Sequence, residues 1–107
     1  MPNLKDVELL TTFLEDEKGS DVTVINVSNQ TSIADYMIIV TARSGRHAKA
    51  LANTCMEKMK ANGLVAISAH GLEQGEWVLV DFNDIILHIM TPESRAFYHI
   101  EGLWKSE

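Results

Sequence analysis

The stretch Glu76-Trp77-Val78-Leu79-Val80-Asp81-Phe82-Asn83-Asp84-Ile85-Ile86-Leu87-His88-Ile89-Met90 decides the fold. Two runs rich in β-branched and apolar residues flank Asn83-Asp84, and both of those residue types tolerate positive φ. The pattern predicts a β-hairpin, with Glu76 to Phe82 as one strand and Ile85 to Met90 as the other. Pairing Phe82 with Ile85 sets Val80 opposite Leu87 and Val78 opposite Ile89. That face is wholly apolar and is expected to pack on helices. Side chains alternate along a strand, so the other face carries Trp77 beside Met90, Leu79 beside His88, and Asp81 beside Ile86. Trp77 thereby leaves the core-facing set and joins a mixed apolar and acidic surface.

Upstream, Asp35 to Thr41 contains Tyr-Met-Ile-Ile-Val, apolar on both faces, as in a central strand covered on each side. Asp21 to Val27 is β-branched and predicts another strand, and Ser28 to Ser32 is a polar loop. From Ser44 to Asn62, Ala48, Leu51, Ala52, Cys55, Met56 and Met59 form one continuous helical stripe. Ser44 suits the N-cap and Gly63 the C′ position. Residues 3 to 18 read as a first helix, with Asn3 as cap, Leu4, Val7, Leu10 and Leu14 near one face, and Lys18-Gly19 as its close. Glu15, Asp16 and Glu17 oppose the helix dipole there, so that end is expected to fray. Val65 to Ala69 predicts a short third strand, followed by a loop through Gly71 and Gly75. Thr91 caps and Pro92 opens a final helix over Ser94 to His99, with a short turn from Ile100 to Trp104. The order α-β-β-α-β-β-β-α implies an α/β fold, an α+β mixed sheet with helices packed on it.

A length of 107 residues suits one compact domain covering residues 1–107. The N-terminus lacks the basic and apolar regions of a secretory signal, and no apolar run is long enough to span a bilayer. A soluble, cytoplasmic protein is expected. The single cysteine, Cys55, fits a reducing compartment. The net charge of −6 disfavours nucleic acid as the main contact and favours a basic partner.

Catalytic signals are weak. Cys55 sits inside an apolar stripe, where a thiol is inert. His47, His70, His88 and His99 show no metal-ligand spacing, and His88 reads as a hydrogen-bonded sheet histidine. Arg43 and Arg46 follow a strand at a helix start, where a cap with two solvated arginines is the preferred reading. Asp35, Asp81 and Asp84 stand at strand ends, where carboxylates can hold Mg²⁺ for nucleotidyl transfer. No Gly-Ser nucleotide loop precedes them at useful spacing. No catalytic residue, metal or cofactor is therefore assigned, and a divergent nucleotidyltransferase-like enzyme is the alternative. Between Gly71 and Glu101 the acids are Glu73, Glu76, Asp81, Asp84, Glu93 and Glu101, with Arg95 as the only arginine or lysine. Trp77, Phe82, Phe97 and Tyr98 are interspersed, with Trp104 just beyond. Phe82 and Phe97 read as core. Trp77 reads as an exposed aromatic among carboxylates, the composition of a hot spot for a basic protein.

The stretch Ser32-Ile33-Ala34-Asp35-Tyr36-Met37-Ile38-Ile39, with Arg46-His47, resembles the Iojap-like ribosomal silencing factor family (RsfS). Glu76 to Asp81, Asp84 to Ile89, Pro92-Glu93-Ser94-Arg95, Tyr98 and Leu103-Trp104 extend the likeness from about Asp21 to Trp104. The resemblance implies a nucleotidyltransferase-like fold without its catalytic apparatus. It implies binding to the large ribosomal subunit at the ribosomal protein numbered fourteen, which blocks subunit joining and lowers translation in starvation or stationary phase. A role in ribosome assembly at the same surface is a further alternative. Homodimers are also implied. By motif, Trp77 would be the central anchor, with Glu76 and Asp81 beside it and Tyr36, Asp35 and Asp84 in the same blocks. Asn83 stands where the family usually has glycine in the turn. Ala42 replaces a glycine after the central strand, and His70 stands where an acid often precedes Gly71.

Overall fold

In the computed structural model, which describes residues 4–104, the two helical stripes and the alternating strands become nine elements. They are α1 (Leu4–Asp16), β1 (Ser20–Asn26), β2 (Tyr36–Thr41), α2 (Gly45–Ala61) and β3 (Ser68–His70), then β4 (Trp77–Asp81), β5 (Ile85–Met90), α3 (Pro92–Tyr98) and α4 (Glu101–Trp104). One five-stranded sheet has the order β1-β2-β5-β4-β3. Only β2 and β5 run parallel, and the connection between them carries α2. Every residue of these two strands is buried, as their two-sided apolar composition predicts.

The hairpin has the expected register, with Val80 opposite Leu87 and Trp77 opposite Met90. Asn83 takes φ +81 in the turn, while its amide donates to Asp81 Oδ1 at 2.8 Å. Val78, Val80, Phe82, Leu87 and Ile89 pack with Ile38 and Val40 against α1 and α2. From the helices, Val7, Leu10 and Leu14 meet Ala48, Leu51, Cys55 and Met59. Burial pushes the Cys55 thiol up to about 12, with the Glu17 charge adding to the effect and Lys58 opposing it. Ser44 Oγ caps α2 by accepting from His47 N–H.

The opposite face of the sheet carries a smaller cluster of Ile25, Met37, Ile39 and Met90, capped by Ile100 and flanked by Trp77 and Trp104. Here Trp77 Nε1–H donates to His88 Nδ1 at 2.9 Å. Indole nitrogen can only donate, so the neutral His88 ring carries its proton on Nε2. Burial lowers His88 from 6.5 to about 4.

The structure departs from the sequence expectations at three places. The third strand is Ser68–His70 rather than Val65 to Ala69, because pairing starts only where Ile67 N–H donates to the Asp81 carbonyl. Val65 and Ile67 lie exposed at the uncovered sheet edge. The end of α1 is tied down. Lys18 takes φ +72, and the Gly19 and Lys18 amides donate to the Leu14 and Glu15 carbonyls, a Schellman pattern. A Cβ on Gly19 would meet Val40 Cγ2 at 2.7 Å, so that position has no room for a side chain. The expected cap Asn3 lies outside the described residues. Finally, Phe97 is 80% exposed rather than core. Two residues of helix turn a side chain by roughly 200°, and Arg95 already faces the sheet.

Arg95 makes four hydrogen bonds to four residues. Nε donates to Glu101 Oε2 at 3.0 Å, Nη1 to the Asp21 carbonyl and Thr41 Oγ1, and Nη2 to Thr23 Oγ1. Asp21 has φ +51 where the β1–β2 register slips, which turns its carbonyl toward the guanidinium. Burial alone would raise the Glu101 carboxyl. The main-chain hydrogen bond and Arg95 outweigh it and hold Glu101 below the ordinary carboxylate value.

Arg95→Met should cost about 2 kcal/mol in a denaturant titration, since it removes the charged hydrogen bonds to β1 and β2 and leaves Glu101 unpaired in a partly buried site. Arg95→Lys should recover little of this, because an ammonium cannot reproduce the fork. The unfolded chain binds the His88 proton more readily than the folded one. Stability contributed by this ring is therefore full above about pH 6.5 and lost as pH falls toward about 4, by roughly 3 kcal/mol in total. Urea unfolding across that window should show the slope, and His88→Gln should remove this part of it.

Candidate functional site

Strand alternation puts Trp77, Leu79, Asp81, Ile86 and His88 on the sheet face away from α1 and α2. Trp77 is half-buried, held by the His88 bond and by Tyr98, whose ring centroid lies 4.7 Å away. Phe97 meets Tyr98 edge-on at 4.9 Å and 89°. The three aromatics thus form a ladder from the sheet to the outer surface of α3. Glu76, Glu93 and Arg43 line a cleft with Phe97 and Tyr98. The outer rungs of the ladder therefore meet two acids and one arginine, and Trp77 is not ringed by carboxylates as the sequence suggested.

The start of β4 is fixed by main chain. Gly75 has φ +75, and a Cβ there would lie 2.5 Å from the Gly45 carbonyl oxygen. Thr91 N–H donates to the Glu76 carbonyl at 3.1 Å. The first turn of α2 and the start of α3 therefore meet the lead into β4 at Gly75 and Glu76, the two residues preceding Trp77.

On its other side Trp77 borders an apolar groove of about 440 Å³. Ile33, Met37, Leu79, Ile86, Ile100 and Trp104 line it, with His88 among them and Asp81 as its acid. Asp35 and Asp84 stand at the same end of the sheet, linked by Asp35 N–H donating to the Asp84 carbonyl at 2.9 Å. Asp84 is exposed and Asp35 half-buried. Among the described residues, no three His, Cys, Asp or Glu side chains come together in a way that could hold a metal ion. No described helix is long and apolar enough to cross a membrane.

Of the six residues singled out from sequence, five reach this face or its ends. Tyr36 does not. It is 7% exposed and packs in the helix-side core, because it alternates in step with Ile38 and Val40 rather than with Met37 and Ile39. The exposed Phe97 and the groove residues Ile33 and His88 were not among the six, although His88 is the hydrogen-bonded sheet histidine that the sequence predicts. The available signal was Arg95: a lone cation in an acidic stretch is expected to be fixed by partners, and its position orients α3. Arg43 and Arg46 are solvent-exposed beside the α2 cap, and the Arg43 amide donates to His47 Nδ1 at 2.9 Å.

The model of the family described as "Ribosomal silencing factor during starvation" matches residues 2–107. A ribosomal silencing factor from Chromobacterium violaceum is 45% identical over 91 residues, which cover 85% of this chain and 75% of that protein. One from Haemophilus influenzae is 35% identical, covering 92% of this chain and 96% of that one. A mouse protein named for mitochondrial assembly of the ribosomal large subunit is 29% identical over 102 residues, covering 92% of this chain and 45% of its own length. A crystal structure of a Chromobacterium violaceum protein superposes with a TM-score of 0.94 at 40% identity, covering 100% of this chain and 89% of that one. With the matching fold, a family model spanning nearly every residue and relatives of this similarity, the chain belongs to the ribosomal silencing factor family.

Proposed function

We propose that this protein silences translation in the cytoplasm by docking on the large ribosomal subunit. In this reading it binds the ribosomal protein numbered fourteen and blocks joining of the small subunit when nutrients are limiting. The observation that carries the reading is the aromatic ladder Trp77–Tyr98–Phe97 beside Glu76 and Glu93. Exposed aromatics supply contact area at low entropic cost, and acids beside them suit a basic protein surface. A net charge of −6 gives the whole molecule the sign that steers it to such a partner. Asp81, Asp84 and Asp35 extend the acidic character to the far end of the same face. The name of the mouse relative favours a second reading at the same surface, a role in assembling the large subunit. Subunit-joining assays separate the two, since an assembly factor need not inhibit joining of mature subunits.

Trp77→Ala should abolish co-sedimentation with purified large subunits, a loss of about 2 kcal/mol or more. Phe97→Ala probes the same face at a side chain 80% exposed, where the fold has little to lose. Binding should also weaken as salt rises, because the acidic contacts are screened. Full binding by Trp77→Ala, shown folded by circular dichroism, would reject the reading.

A further inference from the structure

We infer that the groove beside Trp77 receives an apolar side chain of the docked protein, accompanied by an oxygen acceptor for His88 Nε2–H and by a lysine or arginine directed to Asp81. The inference rests on the docking function proposed above and names what that partner must present. Its first support is a polar atom without a partner. His88 is 5% exposed, and its Nε2 is buried with no hydrogen-bond acceptor among the described residues. The Trp77 bond to Nδ1 fixes the tautomer, so this orphan is a donor and not an acceptor. Leaving such a donor unmet in a buried site is unfavourable, and buried donors in native proteins are almost always satisfied. A ring that lines a binding groove can be satisfied by the occupant.

The second support is the shape and polarity of the groove. Its volume of about 440 Å³ falls in the range of binding clefts, and it is lined almost entirely by apolar side chains. Ile33 stands at the rim, 75% exposed on a loop, where nothing in the core requires an isoleucine. The third support is charge. Asp81 lines the groove, and Asp35 and Asp84 stand at the same end of the sheet. An apolar side chain with a neighbouring cation matches this sequence of surfaces, its main-chain or side-chain oxygen meeting Nε2–H between them. Nε2 is shielded from bulk solvent, and the groove that the ring lines is the side from which an occupant's acceptor approaches it.

The test measures large-subunit binding for four proteins: the native chain, Ile33→Arg, His88→Phe and His88→Gln. Ile33→Arg puts a charge at the apolar mouth without touching the core, and should weaken binding by about tenfold or more. His88→Phe keeps the ring but removes its donor, and should weaken binding similarly. His88→Gln retains an amide donor and an acceptor for Trp77, and should stay within about threefold of native. If His88→Phe does not fold, Ile33→Arg alone decides. Native binding with Ile33→Arg unaffected overturns the groove inference and leaves the docking function standing. Absence of native binding overturns both.

Discussion

One guanidinium determines which part of the sheet stays open. Arg95 joins α3 to α4 through Glu101 and fastens both to the ends of β1 and β2 through Asp21, Thr23 and Thr41. Neither helix buries a residue of its own that could hold it there. Hydrogen bonding to a fixed, planar fork replaces the hydrophobic stripe that anchors α1 and α2. With Arg95 facing inward, Phe97 is obliged to face outward, and Tyr98 falls where it can stack on Trp77. The exposed aromatic surface is thus a geometric by-product of the Arg95 hydrogen bonds.

The sheet divides the molecule into two unequal halves. On one side the long helices complete a dry core that includes an inert cysteine. On the other a shorter pair of helices covers only part of the apolar surface, so that a tryptophan, a histidine and a groove remain between β4 and α4. The dry core and the proposed docking surface thereby lie on opposite faces of the same strands. The alternation of side chains along β4 and β5 is what allows this, since neighbouring residues in one strand serve different ends.

Much of this was legible in the sequence. The hairpin register followed from one turn and the period of two, and the α2 stripe from its helical spacing, because both signals are local. Trp77 could be placed off the helix-side core by counting from Phe82. What sequence did not disclose depends on contacts between distant segments. Tyr36 shares a motif with Asp35, yet the two residues face different ways. Phe97 looked like core because it is large and apolar, and only the placement of Arg95 over Thr23 and Thr41 shows otherwise. Val65 and Ile67 have strand composition, but the sheet edge lacks a neighbour to cover them. The orphan donor on His88 is visible only when the indole is seen to occupy its other nitrogen.

The contact between Gly75 and Gly45 has a consequence for how damage spreads. These residues touch through main chain alone, and two residues beyond Gly75 stands Trp77, the inner rung of the aromatic ladder. A methyl group added at Gly75 would act as a wedge between α2 and the strand that bears the tryptophan. It would tilt the proposed docking face while leaving each of its side chains intact. On the proposed reading, a variant of that kind would lose its target through misalignment rather than through any missing contact.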